Sequence, residues 1–262
     1  MNTLNSLSQK TGTKQRKSAM KELAKKLTEM ILPKRIQLPI RYQYHKLMGN
    51  LDSEMLFVDK LLSQRRRFID IGSNGGIYSF HFSSSFNIVE AFEPRDEITY
   101  RIKSLGKNSV VVHNVALSSM EGDSKFFVPL RDSSSASIET REGPCEERLI
   151  KVKRLDDYDF RDVDLIKVDV EGHEESVLAG GVRTIEINRP VLIVEIEQRH
   201  IKKPIEEVFR KILSLGYDGF YLQNGDLKSI DSFACAVHQE PFLADVIDRR
   251  YVNNFIFTPC NV

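Results

Sequence analysis

From Ser18 onward Met20, Leu23, Leu27, Met30 and Ile31 recur at three- and four-residue steps, a spacing that predicts a helix. Lys21, Lys25 and Lys26 mark its polar face, and Pro33 closes it because the proline ring clashes with a continuing helical backbone. The residues before about Gln15 are polar, unpatterned and expected to be disordered. A second helix is predicted over Asp52–Leu62, with Leu56, Phe57, Val58, Leu61 and Leu62 on its apolar side. Beyond the basic stretch Gln64–Arg67 the period changes. Short apolar runs at Phe68–Ile71, Ile88–Phe92, Val110–His113, Leu165–Val170 and Val191–Ile196 alternate with helical stretches, which implies parallel strands joined by crossover helices. After Gly216 the runs Tyr217–Leu222 and Asn254–Thr258 predict an antiparallel pair at one edge of the sheet. An irregular insert over about 118–154 has a small, polar centre at Arg131–Ser137, expected to be a mobile loop, between candidate strands Lys125–Leu130 and Leu149–Val152. The expected organisation is therefore a tail and helical extension over 1–65, followed by one Rossmann-like α/β domain over 66–262.

Composition narrows the class without naming it. With 41% hydrophobic and 29% charged residues the chain is neither disordered nor fibrous. A net charge of +1 gives no global field for a polyanion, so a nucleic-acid partner is not expected. Cys145, Cys235 and Cys260 are far apart and in no metal-ligand spacing, which fits reduced thiols. No apolar run approaches the roughly 20 residues of a membrane span, and no signal-peptide pattern opens the chain, so a cytoplasmic location is expected. The basic N-terminal helix is expected to pack on its own domain with its lysines solvated; peripheral contact with an anionic membrane is the competing expectation. The pattern assigns no oligomeric state.

The candidate chemistry lies at the strand ends. The first strand runs into Asp70-Ile-Gly72-Ser-Asn74-Gly75-Gly76, a glycine-rich turn before a helix, where backbone N–H groups can approach a ligand closely. Its spacing differs from the Gly-x-Gly-x-x-Gly dinucleotide fingerprint. The second strand ends at Glu93, roughly 20 residues beyond the glycines, where a carboxylate can accept the hydroxyl protons of an adenosine ribose.

These residues resemble the FkbM-type methyltransferase family. The resemblance rests on Phe68–Ser79, Ala91-Phe-Glu-Pro94, Asn114–Ser118, Val163–Glu174 and Pro190–Glu195, in family order across roughly residues 66 to 200, with a weaker block at Asn253–Phe257. It implies S-adenosylmethionine as cofactor and an oxygen acceptor on a small molecule or glycan. It places Asp70, Gly72, Asn74 and Gly76 around the methionine end, Glu93 on the ribose, and Asn114 and Ala116 beside the adenine. Gly75 departs from the pattern, since the family usually has a branched or larger residue there. The first sixty residues and the insert have no counterpart and are expected to choose the acceptor.

The fourth strand ends Lys167-Val-Asp169-Val-Glu171-Gly-His173-Glu174. Alternation puts Lys167, Asp169 and, if extension persists, Glu171 on one face, at the end of the sheet where ligands bind. Asp169 is the leading candidate for the base that takes the hydroxyl proton; Glu171 is second, and His173 and His200 are further candidates. Glu174 reads equally as a helix-capping acid. No metal is predicted, although Asp169, Glu171 and Glu195 could gather a divalent cation. Three competing readings are a nicotinamide-dependent oxidoreductase, a glycosyltransferase using Asp156–Asp159 or Asp162–Asp164, and a non-catalytic cofactor-binding scaffold.

Overall fold

The structure is a computed structural model that describes residues 32–130, 133–140, 143–244, 246 and 248–260. The helix expected over Ser18–Pro33 and the polar start of the chain lie outside the described residues. Helix α1 spans Lys34–Leu47 and α2 spans Ser53–Leu61. A single eight-stranded sheet follows, made of β1 (Arg67–Ile71), β2 (Ile88–Phe92), β3 (Val110–His113), β7 (Val163–Val168), β8 (Val191–Glu195), β9 (Tyr217–Gln223), β10 (Asp226–Ser229) and β11 (Asn254–Pro259). Its strand order is β10-β9-β11-β8-β7-β1-β2-β3. Strands β3, β2, β1, β7 and β8 are parallel neighbours, and β11 lies antiparallel between β8 and β9. The antiparallel pair of the sequence reading is thus a three-strand region, with β10 forming the outer edge and β11 inside the sheet.

The inner parallel strands β1, β2, β7 and β8 are mostly buried, which is why they read as largely apolar runs, whereas β3 at the edge is only partly buried. Helices α3 (Ile77–Phe82), α4 (Asp96–Lys103), α5 (Glu174–Ala179), α6 (Val182–Asn188) and α7 (Glu206–Ser214) cover the faces. Phe68, Val89, Leu165 and Ile193 on one face pack with Met55 and Val58 of α2 and with Phe82 of α3. Ile71, Ile166, Val194 and Phe255 on the other pack with Val208, Phe209 and Ile212 of α7. The extension before β1 is therefore part of the core's cover.

Three sequence readings are corrected. The segment after Pro33 carries no predicted element, yet it forms α1, with Pro39 inside it and Gln37, Leu38 and Tyr42 buried. In α2 the buried residues are Glu54, Met55 and Val58, so Val58 is buried as read, whereas Leu56 and Leu61, also read as apolar-side residues, are exposed. The insert is more regular than expected: the candidate strands Lys125–Leu130 and Leu149–Val152 extend into β5 (Gly122–Pro129) and β6 (Cys145–Lys153), which pair from Gly122–Val152 to Pro129–Cys145, and β4 (Ala116–Leu117) adds to β6 to complete a second, three-stranded sheet. Among the described residues no helix is long and apolar enough to cross a membrane.

Candidate active site

Chain order in the sheet reverses between β1 and β7, so the loops beyond their carboxyl ends diverge and leave a crevice. The turn after β1 forms one wall. The N–H groups of Gly72 and Ser73 both donate to the Phe92 carbonyl at 3.0 Å, and the N–H of Asp169 donates to the Ile71 carbonyl at 3.0 Å, binding three strand tips together. Gly72 is required twice over. Its φ is +77°, and a Cβ there would fall 1.8 Å from the Asp169 carbonyl oxygen. Asp70 is fully buried beneath the turn, where it accepts a hydrogen bond from Ser79 Oγ; burial raises its carboxyl above the ordinary range.

At the tip of β2 Glu93 is 2% exposed, an expensive place for a carboxylate without partners. Its Oε1 accepts from the N–H of Arg95 at 3.0 Å and from Arg95 Nε at 2.8 Å. Its Oε2 accepts from the N–H of Asn74 and from Arg95 Nη2, both at 3.0 Å. The side-chain amide of Asn114 donates to the backbone carbonyls of Glu93 and Pro94, holding the segment that carries the carboxylate. The short turn Ser133–Ser135 of the insert is fastened over this point: Arg95 Nη1 donates to the Ser133 carbonyl and Asn74 Nδ2 to that of Ser134. Around Glu93 opens a cleft of about 500 Å³ whose apolar wall is Phe92, Ala116, Leu117, Phe126 and Ile138, and whose floor is Gly72, Asn74 and Asp169.

A second cavity, of about 710 Å³, lies on the other side of the same turn. Gly72, Asn74 and Asp169 belong to both, while Arg41 and His45 of α1 and Asp52 just before α2, with Tyr78 and Lys167, line only the second. Lys167 Nζ sits 2.7 Å from Asp169 Oδ2 and 4.7 Å from the centre of the Tyr78 ring. Burial alone would discharge Lys167, but the carboxylates of Asp169 and Asp70 outweigh it and raise the ammonium above its usual range.

Acids crowd the ends of β7 and β8. Glu171 stands at φ +57°, so extension does not persist to it as the strand alternation assumed; the turn instead brings its carboxylate 3.0 Å from His200 Nδ1. Burial, with the charges of Asp169, Glu171 and Glu197, holds the Glu195 carboxyl well above the carboxylate range. Glu197 is the reverse case: burial opposes its charge, but hydrogen bonds from Arg199, Tyr251 and Glu195 keep it below that range. Glu171, Glu197 and His200 bring ligand atoms within 4.8 Å of one another, a grouping able to hold a cation. In the structure Arg199 and Tyr251 already donate to Glu197, so a metal would compete with a guanidinium.

The crevice thus gathers Gly72, Asn74, Glu93, Ala116, Asp169, Glu171 and His173 from the predicted set around the first cleft. Asp70, Gly76 and Asn114 line neither cavity; Asp70 and Asn114 brace the walls, and Gly76 lies against Leu38 and Ile102. His173 is 8% exposed, with Nε2 2.9 Å from Ser118 Oγ and Nδ1 2.7 Å from Glu139 Oε1, so both ring nitrogens clasp the insert. Glu174 accepts the N–H groups of Gly172 and Val170 and caps its own turn. Sequence reasoning missed Arg95 and Arg41. Arg95 follows the family block by one residue, and Arg41 sits in an unrecognised helix.

No curated protein sequence matches the chain. A solved structure of Methyltransferase FkbM from Methylobacillus flagellatus KT is similar at a TM-score of 0.50 and 19% identity, covering 78% of this chain and 47% of that one. The chain therefore spans about half the length of that neighbour. A TehB-like SAM-dependent methyltransferase from Corynebacterium glutamicum matches at 0.46 and 13% identity, over 86% of this chain and 97% of that one. A SAM dependent methyltransferase from Aquifex aeolicus matches at 0.41 and 14% identity, over 89% and 96%. The sequence pattern of the Methyltransferase FkbM domain matches residues 70–218, from the aspartate beneath the glycine turn to the start of β9, and the chain belongs to that family.

Proposed function

We propose that the chain is an S-adenosylmethionine-dependent methyltransferase that methylates a hydroxyl of a small molecule or glycan precursor in the cytoplasm. The observation that carries this reading is the pair of cavities meeting at Gly72, Asn74 and Asp169, one apolar around a buried carboxylate, the other polar. A nucleoside joined to an amino acid needs that succession of surfaces. When bound, S-adenosylmethionine supplies a sulfonium methyl already activated for displacement.

The chain's residues have simpler tasks. Phe92, Ala116, Leu117 and Ile138 offer an apolar slot for a purine, and Glu93 offers acceptors to a ribose diol. Because all four contacts of Glu93 are made within the protein, Arg95 has to yield at least one of its guanidinium bonds for a ribose hydroxyl to donate. Asp169 stands where the cavities join. Lys167 fixes its Oδ2, which sets the carboxylate's orientation, and the second oxygen takes the proton of the incoming hydroxyl. A base so placed typically contributes about 10²–10⁴-fold. His173 is left to hold the insert.

The test is Asp169→Asn, assayed with labelled S-adenosylmethionine against glycan precursors and metabolite extracts. Transfer should fall at least about 100-fold while S-adenosylhomocysteine binding, followed by calorimetry, stays within a few-fold. Unchanged turnover would remove Asp169 as the base. Nucleoside binding without transfer to any acceptor would favour a non-catalytic binding protein, and heat only with NAD would favour an oxidoreductase.

A further inference from the structure

Charge is unevenly distributed along the chain. Residues 1–48 contain eleven Lys and Arg against two acids, Glu22 and Glu29, so a segment of net +9 precedes a remainder of net −8. No acid occurs between Glu29 and Asp52, and helix α1 lies wholly within that interval. Arg249 adds to the same end of the molecule, where its Nη2 donates to the Gly49 carbonyl at 3.4 Å, just beyond α1. The near-neutral total therefore hides a strongly basic end.

Helix α1 is also apolar on two opposite sides. Leu38 and Tyr42 are buried against the domain. Across the helix from them Ile36, Ile40, Tyr44 and Leu47 follow one another at steps of four, four and three residues and form one stripe. Ile36 is half-buried, Ile40 and Tyr44 are exposed, and Leu47 is 85% exposed. Lys34 and Arg35 precede the stripe and Lys46 lies beside its end, all three exposed. A single exposed leucine needs no explanation, but an apolar helical stripe among cations marks an interaction surface. Aliphatic side chains gain nothing from the phosphates of a nucleic acid. A second copy docked by the same face would bring two segments of net +9 together. An anionic bilayer suits both features, with an apolar interior for Ile40 and Leu47 and anionic head groups for the cations.

We propose that the outer face of α1 docks on an anionic lipid bilayer, with Ile40, Tyr44 and Leu47 entering the interface and the basic N-terminal segment held by the head groups. The helix that contributes Arg41 and His45 to the second cavity then rests on the lipid surface. This docking stands apart from the methyltransferase reading and does not depend on it.

Sedimentation with vesicles tests it on the full chain. The chain should pellet with vesicles of equal parts phosphatidylglycerol and phosphatidylcholine, stay in solution with phosphatidylcholine alone, and be released by salt. Ile40→Gln with Leu47→Gln keeps every charge and a good helix former at both positions; it should weaken the anionic binding at least about 10-fold. Lys34→Gln with Arg35→Gln should weaken it by about 10- to 30-fold. Both double variants should melt as wild type does, since all four side chains are exposed. The chain has no Trp, so Leu47→Trp reports on the face directly. Its emission should be that of a solvated indole in buffer and move to the blue with anionic vesicles only. Emission already blue in buffer would mean that the chain itself or a second copy covers the stripe, and would overturn the docking. Equal binding of the two kinds of vesicle, or of neither, would overturn it too, as would a glutamine variant of Ile40 and Leu47 that pellets like wild type. Binding of RNA without binding of vesicles would reassign the basic segment and overturn it as well.

Discussion

At the scale of single residues, Glu174 makes the energetics of the crevice measurable. It is 1% exposed, its Oε1 accepts the Gly172 and Val170 N–H groups, and its Oε2 has no partner. Burial is the main cause that pushes its carboxyl up to about 8, against 4.5 for the free side chain; the two N–H groups resist and the charge of Asp169 assists. Between those values the folded chain holds a proton that the unfolded chain has released. The contribution is complete below pH 4.5 and is lost as the pH rises through about 8. The slope is at most about 1.4 kcal/mol per pH unit, so the loss over that window is on the order of a few kcal/mol. Glu174→Gln keeps an acceptor for the N–H groups and cannot ionise. Its melting temperature should match wild type near pH 5 and exceed it near pH 8.5; parallel pH profiles would disprove the assignment. The identity of this acid and of Glu93 was readable from motif position. Their partners were not, because Arg95 is a surface-type residue by composition, yet in the fold it is 5% exposed and donates to Glu93 and to the Ser133 carbonyl of the insert.

At the scale of elements, the tips of β1 and β7 touch through Gly72, which has room for hydrogen only. Gly72→Ala would push the Asp169 carbonyl away and strain a φ of +77°, so both strand tips must shift. A loss of roughly 3 kcal/mol or more is expected, read as a lower denaturant midpoint together with lost nucleoside binding. A midpoint within experimental error of wild type would show that the turn is softer than its geometry. The inner parallel strands were legible because burial on both faces makes them mostly apolar, a signal that survives without partners. Helix α1 was not. Pro39 removes one hydrogen bond inside it, and its buried face of Gln37, Leu38 and Tyr42 is only partly apolar. In α2 five apolar residues fall among the last seven, and periodicity could not choose the face that Met55 and Val58 occupy; the sheet chose it. The candidate strands Lys125–Leu130 and Leu149–Val152 fall in β5 and β6, but their full extent was not legible because half of each strand faces solvent and the region between them is polar.

At the scale of the whole molecule, the extension before β1 is both core and site. Leu38, Met55 and Val58 are fully buried, and Met55 and Val58 cover Phe68 and Phe82. Burying such side chains stabilises by about 1.5–3 kcal/mol each, and the three together are comparable with a domain's net stability of about 5–15 kcal/mol. A chain beginning at residue 63 should therefore aggregate or lose cooperative unfolding, and should bind no S-adenosylhomocysteine. A soluble truncation that melts cooperatively and binds the nucleoside would show that the α/β region folds and works without the helices.

The amino-acid sequence by itself determined the α/β class, the places of the parallel strands along the chain, the glycine turn and the carboxylates at the strand ends. Those depend on local periodicity and on spacing along one segment, which the chain carries wherever it is. Only the tertiary structure decided which of those carboxylates are paired, which are protonated, and which cavity each faces. Burial and charge coupling are properties of segments that meet in space, and the residues that meet here, Arg41 with Gly75, His173 with Glu139 and Glu171 with His200, come from different elements or loops.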